Sequence, residues 1–156
     1  YLLYNGIKYK CAIGRGGFSE EKKEGDGCTP IGVFNIENIL FREDKLKNLV
    51  TNYNLQPILP SDGWCDDPNS NHYNTKIKFP FPNSAEKLFR HDNKYDIVCI
   101  TNHNQYPIKP GSGSAIFIHI ASDDYSATEG CVALHQKDLT EILSTLTKTT
   151  EIYFGL

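Results

Sequence analysis

The sequence predicts a mainly β domain, a compact sandwich or barrel with a few short helices. Three observations predict it. Apolar runs are short and rich in β-branched and aromatic residues, turn residues punctuate them, and few stretches place apolar residues at helical spacing. At 156 residues the chain fits a single domain spanning 1–156, long enough to bury a sizeable core.

Taken in order, Tyr1-Leu2-Leu3-Tyr4 and the alternating residues 7–13 flank Asn5-Gly6, a strong hairpin signal, so the N-terminus is expected to form a β-hairpin. Residues 14–27 are glycine-bearing and charged and form a loop with Lys22 and Lys23 solvated; no phosphate-cradling glycine motif occurs there. Thr29-Pro30-Ile31-Gly32 turns the chain into residues 33–41, whose alternation marks a strand. Residues 42–60 are polar with scattered leucines, and 45–50 allow one helical turn. Residues 61–74 are dense in turn formers yet hold the only tryptophan. Trp64 and Tyr73 there either anchor the loop or line a pocket, and both join the candidate substrate-binding set. Asp66, Asp67 and His72 lack metal-motif spacing.

Asn83 or Ser84 caps an expected short helix over 84–90, with Ala85, Leu88 and Phe89 on one face. Residues 95–101 form a compact β-branched run, a buried strand with Cys99 in the core. Leu139, Ile142, Leu143 and Leu146 recur at helical spacing and predict an amphipathic helix over 138–146; residues 151–154 supply a last strand.

Composition excludes several partner classes. A net charge of -3 with no basic run argues against nucleic acid and anionic membranes, and no apolar stretch is long enough to insert stably in a bilayer. Small or peptide substrates fit better, and a monomer is expected. The chain contains no Met at all, which reads as a mature or trimmed product whose targeting segment has been removed. Cys11, Cys28, Cys65, Cys99 and Cys131 are too scattered for a disulfide scaffold or a C-x-x-C metal pair. With Cys131 left free, the other four permit three complete pairings.

The chemistry concentrates in residues 113–134. Ala115-Ile116-Phe117-Ile118 is an apolar run that delivers His119 at its exit, and a polar loop then returns the chain to Gly130-Cys131-Val132. A thiol near an imidazole can exist as thiolate at neutral pH, and the thiolate is the nucleophile. Gly130 permits positive φ, so amides at Gly130 and Cys131 can form an oxyanion hole. The residues point to a cysteine acyl-transfer centre with Cys131 as nucleophile and His119 as base.

His119 followed by Thr128-x-Gly130-Cys131-Val132 resembles the signature of the L,D-transpeptidase catalytic domain family, in which a His precedes Ser/Thr-His-Gly-Cys. Gly27-Cys28-Thr29-Pro30-Ile31-Gly32 is similar to the Thr-Pro-x-Gly turn early in that domain. The loop Thr-x-Gly-Cys-Val-Ala-Leu departs from the pattern, with Glu129 where the family usually has His and Ala133 where it has Arg or Asn. The resemblance implies a β-sandwich-like fold with its Cys-His site in a cleft under a lid, placed here within residues 42–74. It implies peptidoglycan stem peptides as substrate, a periplasmic or cell-envelope location, and no metal or organic cofactor. Cys131 attacks the carbonyl of the third stem residue, and the acyl group passes to an amine of a neighbouring stem. His119 is oriented by a backbone carbonyl, that of Ile120 being a candidate, and Thr128 supports the loop and joins the candidate substrate-binding set. Arg15 and Arg90 are candidates to meet a stem carboxylate. Water as acceptor would make the same centre an L,D-carboxypeptidase or endopeptidase; a different class is a non-catalytic peptidoglycan-binding domain. Glu129 is expected to point away from the sulfur, because an anion beside a thiolate opposes its formation.

Overall fold

The computed structural model describes residues 1–155. The strands, in chain order, are β1 (Leu2–Tyr4), β2 (Ile7–Tyr9), β3 (Cys11–Ala12), β4 (Phe18–Ser19), β5 (Thr29–Pro30), β6 (Gly32–Phe34), β7 (Ile36–Phe41) and β8 (Leu55–Pro57). They continue with β9 (Asp62–Cys65), β10 (Lys76–Lys78), β11 (Ala85–Lys87), β12 (Ile97–Thr101), β13 (Phe117–Ile120) and β14 (Val132–Leu134). One helix, α1 (Gln136–Thr145), and a final strand, β15 (Ile152–Phe154), follow. The mainly β expectation holds.

A six-stranded mixed sheet, ordered β3-β14-β13-β12-β7-β8, forms the centre. Its strands alternate between two cores, as the period of two requires. Ile97 and Cys99 of β12, Ile39 of β7 and Ile118 and Ile120 of β13 face one side, where Leu139, Ile142 and Leu143 of α1 pack. Val98, Ile100, Leu40 and Phe117 face the other. That second face is covered by the three-stranded sheet β10-β9-β11, whose Trp64 meets Phe117 edge to face with centroids 5.1 Å apart. The result is a sandwich closed on its far side by a helix.

The N-terminal hairpin forms as expected, with Asn5 at φ 48° and Gly6 at φ 77°, the left-handed pair that a tight hairpin turn needs. The amphipathic helix also forms, starting slightly earlier behind His135, whose side chain accepts from the Lys137 N–H. The helix expected over 84–90 does not form. Residues 85–87 are strand β11, paired antiparallel with β9, and the Leu88 N–H donates to the Asp62 carbonyl; long-range pairing overrides a weak local helical pattern. Residues 45–50 contribute only a turn, with the Lys45 and Leu46 N–H groups both reaching the Arg42 carbonyl. All five cysteines are free, so none of the three possible pairings occurs.

Candidate active site

β13 and β14 run parallel and in register, Ile118 opposite Val132 and His119 opposite Ala133. Alternation therefore puts Phe117, His119, Cys131 and Ala133 on one face of the sheet, with Ile118, Val132 and Leu134 on the other. His119, Cys131 and Ala133 line a single cleft of about 430 Å³.

The imidazole is fixed from behind. His119 Nδ1 lies 2.9 Å from the Ile120 carbonyl, which can only accept, so Nδ1 carries the proton and Nε2 is left as the basic nitrogen. The Tyr95 ring packs edge-on against it, centroids 5.2 Å apart. The thiol is fixed as well: Cys131 Sγ donates to the Ala115 carbonyl at 3.1 Å and accepts from the Phe117 N–H at 3.4 Å. Ala115 sits at φ 52°, a strained conformation for a residue with a side chain, directly beside the sulfur.

The loop before Cys131 is held by two threonines. Thr128 Oγ1 donates to the Cys131 carbonyl at 2.6 Å and accepts from the Gly130 N–H at 3.2 Å. Thr29 Oγ1, fully buried, donates to the Gly130 carbonyl at 2.9 Å and accepts from the Gly14 N–H at 2.9 Å. Gly130 is at φ 138°, and a Cβ there would stand 2.8 Å from the Cys28 carbonyl oxygen, so the loop takes only glycine at that point.

A family model, the YkuD L,D-transpeptidase catalytic domain, matches residues 4–153. The chain belongs to the L,D-transpeptidase catalytic domain family. No curated protein matches it, and no solved structure does.

The two motifs that resemble this family meet in space, since Thr29 of the upstream Thr-Pro-x-Gly turn grips Gly130 of the L,D-transpeptidase loop. Thr29 belongs to that motif in sequence, and its task shows only in the fold. Electrostatics amend the expected thiolate. Burial pushes the Cys131 thiol up to about 12, reinforced by the charge of Glu86 and opposed by the Phe117 N–H and Lys22. Burial likewise pushes His119 down to about 4. The resting pair is a neutral thiol and a neutral imidazole.

Of the four expected substrate contacts, Thr128 and Arg90 line the cleft and Trp64 and Tyr73 do not. Trp64 and Tyr73 are buried behind the wall, at 5% and 2% exposure. Trp64 Nε1 donates to Asn74 Oδ1 at 3.0 Å, the same oxygen accepts from the Ala115 N–H at 3.1 Å, and Tyr73 donates to Glu24. Both are anchors, because a buried ring with its polar tip already paired has no free edge for a ligand. The chain Trp64, Asn74, Ala115 leads straight to the carbonyl that holds the thiol. Arg90 forks onto Asp92 at 2.8 and 2.6 Å, and Arg15 Nε reaches both oxygens of Glu129 at 2.9 and 3.0 Å, so each guanidinium already has a carboxylate partner. Glu129 is exposed at the rim.

Residues 42–74, the expected lid, contribute only Asp66 to the cleft; their strand β9 is entirely buried. The walls are built instead from Lys22, Glu24 and Gly25, from Glu86, Arg90 and Lys94, and from Ser122 and residues 126–129. Lys22, expected in solvent, is buried against Asp26. Glu86 is the cleft residue that the sequence hid. It stands opposite Trp64 in the β11–β9 ladder, so it faces the central sheet, and it accepts from the Tyr95 hydroxyl at 3.0 Å. Among the described residues, no group of three or more His, Cys, Asp and Glu side chains is arranged to hold a metal ion.

Proposed function

We propose that residues 1–156 form a single catalytic domain that works as a peptidoglycan L,D-transpeptidase through a Cys131 acyl-enzyme. The observation that carries the proposal is the convergence of Cys131 and His119 on one cleft, with the histidine tautomer set so that Nε2 is the base. The family acts on peptidoglycan stem peptides, which supports such a peptide as donor and the cell envelope as the place of action. No helix among the described residues is long and apolar enough to cross a membrane.

Because both groups rest neutral, the thiol proton leaves as Sγ attacks the carbonyl of the third stem residue, passing to His119 Nε2. N–H groups of Gly130 and Cys131 receive the developing oxyanion, the Gly130 N–H exchanging its long bond to Thr128 for a shorter one. The imidazolium then protonates the departing amine of the fourth residue, and an amine of a neighbouring stem attacks the thioester. Incubation with a tetrapeptide stem, followed by intact-protein mass spectrometry, tests the proposal. Wild type is expected to carry the tripeptide acyl adduct on Cys131, and Cys131→Ala and His119→Gln to carry none. An adduct on another cysteine, or no adduct on any, overturns it; tripeptide formed with no amine product reassigns the centre as a carboxypeptidase.

A further inference from the structure

We propose that Glu86, together with Asp66 and Ser114 of the same cleft, forms its acceptor end, where it binds the primary ammonium group of the incoming amine and takes a proton from it. This rests on the acyl-enzyme reading above and adds a site to it.

Glu86, Asp66 and Ser114 line the same cleft as Cys131 and His119. Asp66 Oδ1 and Ser114 Oγ are buried polar atoms with no hydrogen-bond partner, and Ser114 as a whole is only 8% exposed. Glu86 has the Tyr95 hydroxyl on one oxygen only, Oε2. Asp66 Oδ1 and the second oxygen of Glu86 are acceptors without a donor, and the Ser114 hydroxyl has lone pairs to add, whereas an ammonium group brings three N–H donors and a positive charge. Of the cations lining the cleft, Arg90 is forked onto Asp92, Lys22 is held by Asp26 and the Lys23 carbonyl, and Lys94 bears on His119 rather than on Glu86. Glu129 is less suited to the task, being exposed at the rim and paired with Arg15.

The charged and titratable groups around Glu86 are Tyr95, Asp66, Arg90, Glu24 and Cys131. Burial, with the charges of Asp66 and Glu24, pushes its carboxyl up to about 7 against the pull of Tyr95 and Arg90. A carboxyl so placed exchanges a proton readily at neutral pH. In the transfer step the ionised Glu86 accepts one proton from the bound ammonium and becomes the acid. The freed amine nitrogen forms a C–N bond to the thioester carbonyl as the C–S bond breaks. The second nitrogen proton passes through His119 Nε2 to the departing sulfur, giving the amide, the free thiol and protonated Glu86.

Two measurements on the full chain test the site, with Nα-acetyl-L-lysine as the cationic probe. In the first, NMR titration of Cys131→Ala is expected to show lysine-probe binding that weakens at least tenfold when Glu86→Gln is added, while Nα-acetyl-L-norleucine, which lacks the amine, shows no such dependence. In the second, preformed acyl-enzyme is partitioned between the lysine probe and hydroxylamine, which is uncharged at neutral pH. Glu86→Gln is expected to lower the lysine-to-hydroxylamine rate ratio at least tenfold. Asp66→Asn, expected to move both readouts the same way, keeps the test decisive if Glu86→Gln does not fold. Unchanged affinity for the lysine probe, or an unchanged rate ratio, overturns the site. If wild type forms no acyl-enzyme yet Glu86→Gln still abolishes lysine-probe binding, the enzymatic reading fails and the ammonium site stands.

Discussion

The Cys131 thiol rests protonated, and its surroundings say why. It is buried, sits near the negative charge of Glu86, and gains only a long N–H contact from Phe117 and the charge of Lys22 to offset them. Alkylation by iodoacetamide, followed at Cys131 by peptide mass spectrometry, is therefore expected to keep climbing above pH 10, where an open-chain thiol with a pKa of about 8.5 has already levelled off. Replacing Glu86 by Gln removes a charge that disfavours the thiolate, so the profile should move to lower pH; a profile already flat by pH 9, or one that ignores this substitution, contradicts the account. The proposed nucleophile and base could be singled out because their motif is local: a strand ending in His119 and a turn through Gly130. Glu86 could not be, because what makes it unusual is assembled from Tyr95, Asp66 and Glu24, none adjacent to it in sequence. Trp64 and Tyr73 could be singled out as aromatic residues on a loop, but which way they faced depended on the partners Asn74 and Glu24.

The same division holds for elements. The β1–β2 hairpin and α1 announce themselves through Asn5-Gly6 and a helical stripe, signals contained within each segment. β11 is invisible locally, since Ala85, Leu88 and Phe89 fit a helical face and only pairing with β9 makes 85–87 a strand. The hold of the early turn on the loop before Cys131 is equally long-range: Thr29 of β5 spans to Gly130, linking the first third of the chain to the proposed nucleophile. Thr29→Val keeps the shape but strands the Gly14 N–H and the Gly130 carbonyl in a buried site, each worth about 1–3 kcal/mol when left unpaired. Urea denaturation should show a loss of about 2–6 kcal/mol, and acylation of the remaining folded protein should slow because Gly130 is no longer held. Wild-type stability with wild-type acylation in this variant would show that Thr29 does not position the loop.

At the scale of the whole molecule, one cleft shields two titratable groups from water, the buried His119 and the half-buried Glu86, with opposite consequences for stability. His119 titrates at about 4 in the fold against an ordinary 6.5, so between those values the unfolded chain binds the extra proton; its contribution is complete above pH 6.5 and lost as pH falls towards 4. Glu86 titrates at about 7 against an ordinary 4.5, so there the folded state holds the extra proton; its contribution is complete below pH 4.5 and lost as pH rises through 7. Each gap corresponds to about 3 kcal/mol. Across the shared window the two slopes have opposite sign and similar size, so the cleft adds little net pH dependence to wild type. Single substitutions should expose each half. The stability of Glu86→Gln relative to wild type is expected to rise by about 3 kcal/mol from pH 4 to pH 7.5, because the mutant no longer pays to keep a carboxyl protonated. That of His119→Gln is expected to fall by a similar amount between pH 4 and pH 6.5, because the proton-driven loss it removes is present only at the acidic end. Urea denaturation at half-unit pH intervals gives both difference curves. Curves that run flat, or that slope in the same direction, would mean that the two groups do not share a buried cleft with opposed titrations.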